Sequence, residues 1–418
     1  MRTLRITLAI IAIMALLAGQ LLRKEQVLDE RAALAELAPG AVFSGKNGSP
    51  PHYLYGKDLA AFNSFDVTTA VRGYAGPIKV MIALGRDGTI KGIKILEHRE
   101  TKNYVHYMES RTYLDRYIGK SVHNRFKIER DIDGITRATV SVEALARTVR
   151  DSSRVVASNV FGITVRKEKN AAAENYGWAW YTLLFAAAAA GYFLSRRSRN
   201  YLRLRDATMI AGVLVIGIYL SSPFSILHIF NLAMLRPSFS LLWLMIVITT
   251  LLSVAVAGRF YCGWLCPFGA LSEFIGRLPV SKWNIPREQD DRWRMVKYYL
   301  LGAVILAVFL TQRVDYGNYE TYVTLFSLHG NTLTWALVVL SLLANFRIER
   351  FWCRFLCPVA ALNGLLSRKA EGYPSRNDCP MANRTNPMIS ECVRCNRCYS
   401  LPKQEREGVA EKPFTIEP

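Results

Sequence analysis

Cysteine is the residue whose spacing says most about this chain. All eight cysteines stand from Cys262 onward. Cys262-Gly-Trp-Leu-Cys266-Pro267 and Cys353-Arg-Phe-Leu-Cys357-Pro358 are two copies of C-x-x-x-C-P, and Cys392, Cys395 and Cys398 form C-x-x-C-x-x-C with Cys379-Pro380 upstream. Thiolates in such runs ligate iron–sulfur clusters, and the bacterial run C-x-x-C-x-x-C-x-x-x-C-P lends its fourth cysteine to a neighbouring cluster. Here the run from Cys392 lacks its fourth cysteine, because Tyr399-Ser-Leu-Pro402 follows, and Cys379-Pro380 is a tail without its first three. The surviving halves make one tetrad: Cys379, Cys392, Cys395 and Cys398. Cys262, Cys266, Cys353 and Cys357 remain as a second candidate tetrad. Four thiolates also suit zinc, and buried cysteines can be inert packing. The doubled layout, a helix, then Tyr or Trp, Cys-x-x-Leu-Cys-Pro and a following Ala-Leu, weighs against inert packing. Each proline fixes the backbone and turns the chain away from the preceding helix.

Positioning these thiols falls to a membrane bundle. The chain is 51% hydrophobic over 418 residues, and apolar stretches of about spanning length run over residues 4–22, 178–194, 207–220, 239–257, 298–310 and 332–344. Six spans are expected. The net charge of +20 raises nucleic acid as a partner, which needs the cations gathered on one soluble face. They gather instead beside alternate span ends: Arg2 and Arg5; Arg196, Arg197, Arg199, Arg203 and Arg205; Lys282, Arg287, Arg292, Arg294 and Lys297; Arg347, Arg350, Arg354, Arg368 and Lys369. The positive-inside rule then places both termini in the cytoplasm, and no nucleic acid is expected. Residues 1–22 read as a retained anchor rather than a cleaved signal, since Ala-x-Ala is missing before Gly19-Gln20. Residues 23–175 fall outside the cytoplasmic membrane, in the periplasm where there is one. All eight thiols map to the reducing side, which favours metal over disulfide.

In the extracytoplasmic segment, Ile78–Leu84 and Thr89–Ile95 alternate as a hairpin about Asp87-Gly88. Asp133-Gly-Ile-Thr136-Arg-Ala138-Thr139 precedes a run in which Leu145, Val149 and Val156 recur at near-helical spacing. Thr139 therefore sits at a helix start, where N–H groups and the helix dipole receive phosphate. Ordinary capping explains a threonine there equally simply. His98 reads either as a ring contact for a bound ligand or as a satisfied strand-end histidine. His106 and His123 read as surface residues. His228 and His329 fall near outer span ends, as polar anchors or as contacts to haem or quinol.

Gly88-x-Ile90, Glu97-His98-Arg-Glu100-Thr101, Gly119-Lys120 and Asp133-x-x-Thr136-x-Ala138-Thr139 resemble, in order, the FMN-binding domain of NosR/NirI proteins and of Rnf and Nqr electron-transfer subunits. That resemblance implies FMN attached through its phosphate to Thr139 by a flavin transferase, with Asp133, Thr136, Ala138, His98, Glu100 and Thr101 around it. Arg137 departs from the usual glycine, and Lys102-Asn103-Tyr104 from the usual Pro-Gly stretch. The doubled C-x-x-x-C-P after a flavin domain likewise resembles NosR/NirI proteins and the related membrane subunits of reductive dehalogenase systems. It implies [4Fe-4S] clusters, with one of the two usual tail clusters missing.

The expected architecture is an anchor (1–22), an α+β extracytoplasmic FMN domain (23–175), an all-α transmembrane domain with both C-x-x-x-C-P motifs (176–370) and a ferredoxin-like cytoplasmic tail (371–418). The expected function is electron transfer between quinol or cytoplasmic donors and an extracytoplasmic acceptor. A membrane quinone bridges the core, and a periplasmic reductase or its maturation is served. A redox-sensing regulator or assembly factor is the rival reading, and a zinc scaffold a second.

Overall fold

The computed structural model describes residues 2–22, 30–68, 77–98, 108–128, 130–134, 139–165, 176–194, 201–235, 240–283, 285–317, 319–367, 379, 381 and 391–397. The chain divides into two compact units: a helical one of Met1–Arg23, Asn175–Leu235 and Leu241–Pro418, and an α+β one of Lys24–Glu174 with Arg236–Ser240.

In the α+β unit, four strands form an antiparallel sheet in sequence order: β1 (Tyr53–Tyr55), β2 (Leu59–Asn63), β3 (Lys79–Gly85) and β4 (Ile90–Glu97). The expected hairpin is β3–β4, paired in register from Lys79↔Glu97 to Leu84↔Ile90. Strand periodicity sends alternate residues to opposite faces. Val80, Ile82 and Leu84 join a core with Leu145, Val149 and Val156 of the helix Thr139–Phe161, while Met81 packs on the opposite face with Leu34 of the helix Glu30–Leu37. The long helix is pinned near its far end, where Arg154 donates from Nε to the Val122 carbonyl and from Nη2 to the Asn124 carbonyl. Val122 N–H in turn donates to the Gly88 carbonyl at the hairpin turn. At about 1.5 Å per residue the helix runs back some 22 Å from Arg154 to Thr139. Its start therefore lies toward the end of the sheet where His98 follows β4.

The helical unit carries its apolar residues outward and its charges inward. On the helix Arg2–Leu22, Ile13, Met14, Leu17 and Leu21 are exposed, as are Leu252, Val256, Leu333, Leu340 and Leu343 on later helices. Among the described residues, every buried charged side chain belongs to this unit. Such an apolar sheath suits lipid, in which backbone polar groups must be satisfied within helices, and the protein is a membrane protein. Helix occupies the main part of all six predicted stretches. Among the described residues, three helices are long and apolar enough to cross, Leu4–Leu21, Gly177–Leu194 and Glu288–Thr311. A fourth follows if Thr321–Ser327 and Thr332–Arg347, bent by 103° at a short break, count as one span. The remaining two stretches differ from plain spans: Leu241–Ala257 has 17 residues, and Tyr201–Ala211 continues as a π-helix over Gly212–Tyr219. Gly19 lets the first helix lie against Glu288–Thr311, because a Cβ there would meet the Phe309 carbonyl oxygen at 1.9 Å.

Gly88 has φ +75°, and a Cβ on it would press Ile163 and Val122 at 3.1 Å. Gly88→Val should cost more than about 1 kcal/mol, read as lost hydrogen-exchange protection across β3 and β4. Asp87 supplies the pH arm of the same test. Its carboxylate accepts from the Thr89 hydroxyl and N–H, which hold it near 2 from an ordinary 3.8. A depressed folded value means this contribution is complete above 3.8 and is lost as pH falls through about 2.

Candidate functional site

The flavin-type motif is described in part. Thr139 is the first residue of the helix Thr139–Phe161. Asp133 is held just ahead of it, its carbonyl accepting from the Tyr113 hydroxyl at 3.3 Å and its Oδ2 facing Arg116 Nη1 at 3.1 Å. Burial pushes the Tyr113 hydroxyl up to about 12, so it stays a donor at neutral pH. His98 pairs through Nε2 with Glu109 at 2.9 Å, and its Nδ1 is buried with no hydrogen-bond partner among the described residues. A helix start and an orphaned imidazole nitrogen toward the same sheet end fit a phosphate and a polar ring respectively. Glu100, Thr101, Thr136, Ala138 and the Thr139 side chain lie outside the described residues, as does His106. His123 is exposed.

The two C-x-x-x-C-P motifs adopt one backbone. Short helices Phe260–Trp264 and Phe351–Phe355 end at Leu265 (φ −124°, ψ −27°) and Leu356 (φ −124°, ψ −24°). Cys266 and Cys357 then cap the helices Pro267–Gly276 and Pro358–Leu366, their sulfurs accepting from Gly269 N and Ala360 N at 3.4 Å each. The prolines thus open a new helix at its first position, where a missing N–H costs nothing. The sequence reading had them only ending the old one. Cys266 and Cys357 each sit in electrostatic range of Cys262 and Cys353, and Asn363 Nδ2 reaches Cys262 Sγ at 3.6 Å. In the tail, Cys392 is likewise within range of Cys395 and Cys379. Arg394 (φ +56°) and Asn396 (φ +59°) hold left-handed backbone that bends this segment. Cys398 lies outside the described residues. Among the described residues no three His, Cys, Asp or Glu side chains close to single-ion ligand geometry.

Buried charge surrounds both groups. Glu273 takes Arg205 bidentately at 2.7 Å, Arg350 at 2.7 Å, Arg277 at 2.8 Å and Arg397 at 2.9 Å. Arg205 also donates to the Gly263 carbonyl, and Arg350 to the Cys262 carbonyl. Glu391 takes Arg259 at 2.9 Å, Lys297 at 2.5 Å and the Tyr298 hydroxyl at 2.6 Å. Asp290 takes Arg294 and Arg354. Among the described residues, seven buried cations here (Arg205, Arg259, Arg294, Lys297, Arg350, Arg354 and Arg394) face four buried carboxylates (Glu273, Asp290, Glu320 and Glu391), an excess of three. Burying uncompensated charge costs several kcal/mol per ion, whereas four-thiolate clusters are anionic and would balance it. Arg259 Nε and Nη2, Arg294 Nη1 and Trp352 Nε1 are buried donors without partners among the described residues. Cluster sulfurs accept such bonds, so the residues fit the group.

Sequence reasoning took Arg205, Arg294, Lys297, Arg350 and Arg354 as markers of topology. The structure buries all five. Their carboxylate partners were missed, and the available signal was acidic residues within and beside apolar stretches. His228 stacks between Phe224 (5.6 Å) and Trp243 (5.8 Å), and its Nδ1 accepts from Ser225 N–H as part of a helix cap. His329 folds back on the Ser327 carbonyl.

A 4Fe-4S binding domain family matches residues 239–286 and 328–374, and an FMN-binding domain family matches 73–153. The putative electron transport protein YccM of Escherichia coli is 34% identical over 37% of this chain and 42% of its own length. Protein NirI of Paracoccus denitrificans is 28% identical over 49% and 35%. Regulatory protein NosR of Stutzerimonas stutzeri is 27% identical over 48% and 33%. The chain spans less than half the length of each of these relatives. The 4Fe-4S match takes in both C-x-x-x-C-P motifs, which favours iron–sulfur over zinc.

Glu391→Gln leaves Arg259 and Lys297 buried without a counter-charge. The expected loss is about 3–5 kcal/mol, read as a fall in the thermal unfolding midpoint in detergent.

Proposed function

We propose that the chain is a NosR/NirI-type membrane flavin and iron–sulfur protein, and that it is a transmembrane electron conduit. Electrons enter from quinol or a cytoplasmic donor, pass the tail and membrane cysteine sites, and leave through FMN on Thr139 to an extracytoplasmic acceptor. The acceptor is a periplasmic reductase or its maturation partner. Iron–sulfur clusters supply one-electron steps and FMN joins one- to two-electron chemistry; the protein positions them. This reading counts six helical passes, the bent pair as one, and puts the tail in the cytoplasm and the FMN unit outside, on the side opposite the clustered cations.

The observation that carries this reading is the excess of buried cations around two convergent cysteine groups. Arg350 and Arg205 fix the first motif by its carbonyls, and Cys266 and Cys357 cap the two following helices with their sulfurs. A hydrocarbon core of about 30 Å is a long gap for electrons, and the bent helix pair shortens it. The segment ahead of and within Thr321–Ser327 brings Tyr319 against Trp352 and Tyr322 against Phe268, both at 6.2 Å. Phe224 packs on Tyr261 at 5.9 Å in the other motif. Residues from the outer side thus reach the flanks of Cys262 and Cys353, where a quinone headgroup would bridge the remainder.

NosR is named a regulatory protein, which keeps a redox-sensing regulator as the second reading. Turnover separates the two: a conduit reduces an added extracytoplasmic acceptor many times per protein, a sensor at most once.

Two variants test the sites. Thr139→Ala should abolish yellow fluorescence on a denaturing gel, and persistent fluorescence means attachment elsewhere. Cys392→Ser should halve iron and acid-labile sulfide and remove one of two EPR signals.

A further inference from the structure

The tail does not merely hang beside the membrane site. Gly263 follows Cys262 directly, and Val393 follows Cys392. A Cβ built on Gly263 would stand 1.9 Å from the Val393 carbonyl oxygen, so the two backbones touch and only glycine permits it. Around that contact, Trp264 Nε1 donates to the Arg394 carbonyl at 3.0 Å, Gly258 leaves room for the Arg394 guanidinium, and Asn396 Nδ2 reaches the Tyr192 carbonyl at 3.3 Å. Glu273 ties the same two parts together: Arg205, which it grips, holds the Gly263 carbonyl, and Arg397 comes to it from between Cys395 and Cys398. One trans-peptide step of about 3.8 Å on either side of a van der Waals contact leaves Cys262 and Cys392 within roughly 14 Å, Cα to Cα.

We propose that the two cysteine sites form a single contact pair, in which the Gly263–Val393 contact is the shortest protein path for an electron and Glu273 is the positioning residue that fixes it through Arg397. The proposal rests on the iron–sulfur reading above. The step is a single electron leaving a reduced tail site and arriving at an oxidised membrane site. No bond forms or breaks, and no proton moves.

The test is low-temperature EPR on the fully reduced, detergent-solubilised full chain, with iron and sulfide quantified on the same sample. Wild type should contain iron for two clusters and show a spectrum split by spin–spin interaction between them. Gly263→Ala forces Val393 away and should abolish the splitting at unchanged iron content. Arg397→Gln, at a partly exposed side chain, removes the tail's arm to Glu273 and should weaken it. Two non-interacting signals in wild type at full iron overturn the contact pair while leaving the cluster reading intact. Splitting unchanged in both variants overturns the assignment of the path. Iron for one cluster only overturns the pair together with the reading beneath it.

Discussion

One buried carboxylate organises the cysteine-bearing half of this protein. Glu273 lies among Arg205, Arg277, Arg350 and Arg397, which come from the helix Tyr201–Ala211, its own helix's end, the start of the second motif and the tail. A guanidinium is planar and offers paired donors, so each arginine fixes an orientation as well as a charge. Arg350 holds a left-handed backbone at φ +51° while satisfying both Glu273 and the Cys262 carbonyl. Strain of this kind persists where the surroundings over-determine it. Apolar packing in place of such a cluster is often as stable, so the cluster's position beside the cysteines fits a role beyond stability, namely to face an anionic centre.

That constraint explains why the two motifs share a backbone. Each must end one helix, present two sulfurs and begin another within seven residues, and Cys-x-x-Leu-Cys-Pro does this with a capping sulfur and a proline that needs no N–H. The buried positive charge would stabilise electrons arriving at the sites it surrounds. The α+β unit solves a separate problem with separate means: a sheet covered on both faces and a long helix that begins at Thr139.

Much of this was legible in the chain. The β3–β4 hairpin follows from alternation and Asp87-Gly88, and the helix after Thr139 from the spacing of Leu145, Val149 and Val156. What was not legible depends on partners distant in sequence. Arg205 and Lys297 look like any cations at a membrane face until Glu273 and Glu391 fold against them, 68 and 94 residues away. The bend between Thr321–Ser327 and Thr332–Arg347 was hidden for a related reason. Both pieces are apolar, and hydropathy does not register a change of direction.

The central claim is that electrons given to the cysteine sites reach the flavin. It is tested most directly in proteoliposomes of one orientation, with a membrane-impermeant low-potential donor supplied on the tail side and flavin absorbance followed on mixing. The account predicts bleaching of the flavin in wild type and none when Cys353 is replaced by Ser with the flavin still attached. Equal bleaching in both proteins would contradict it.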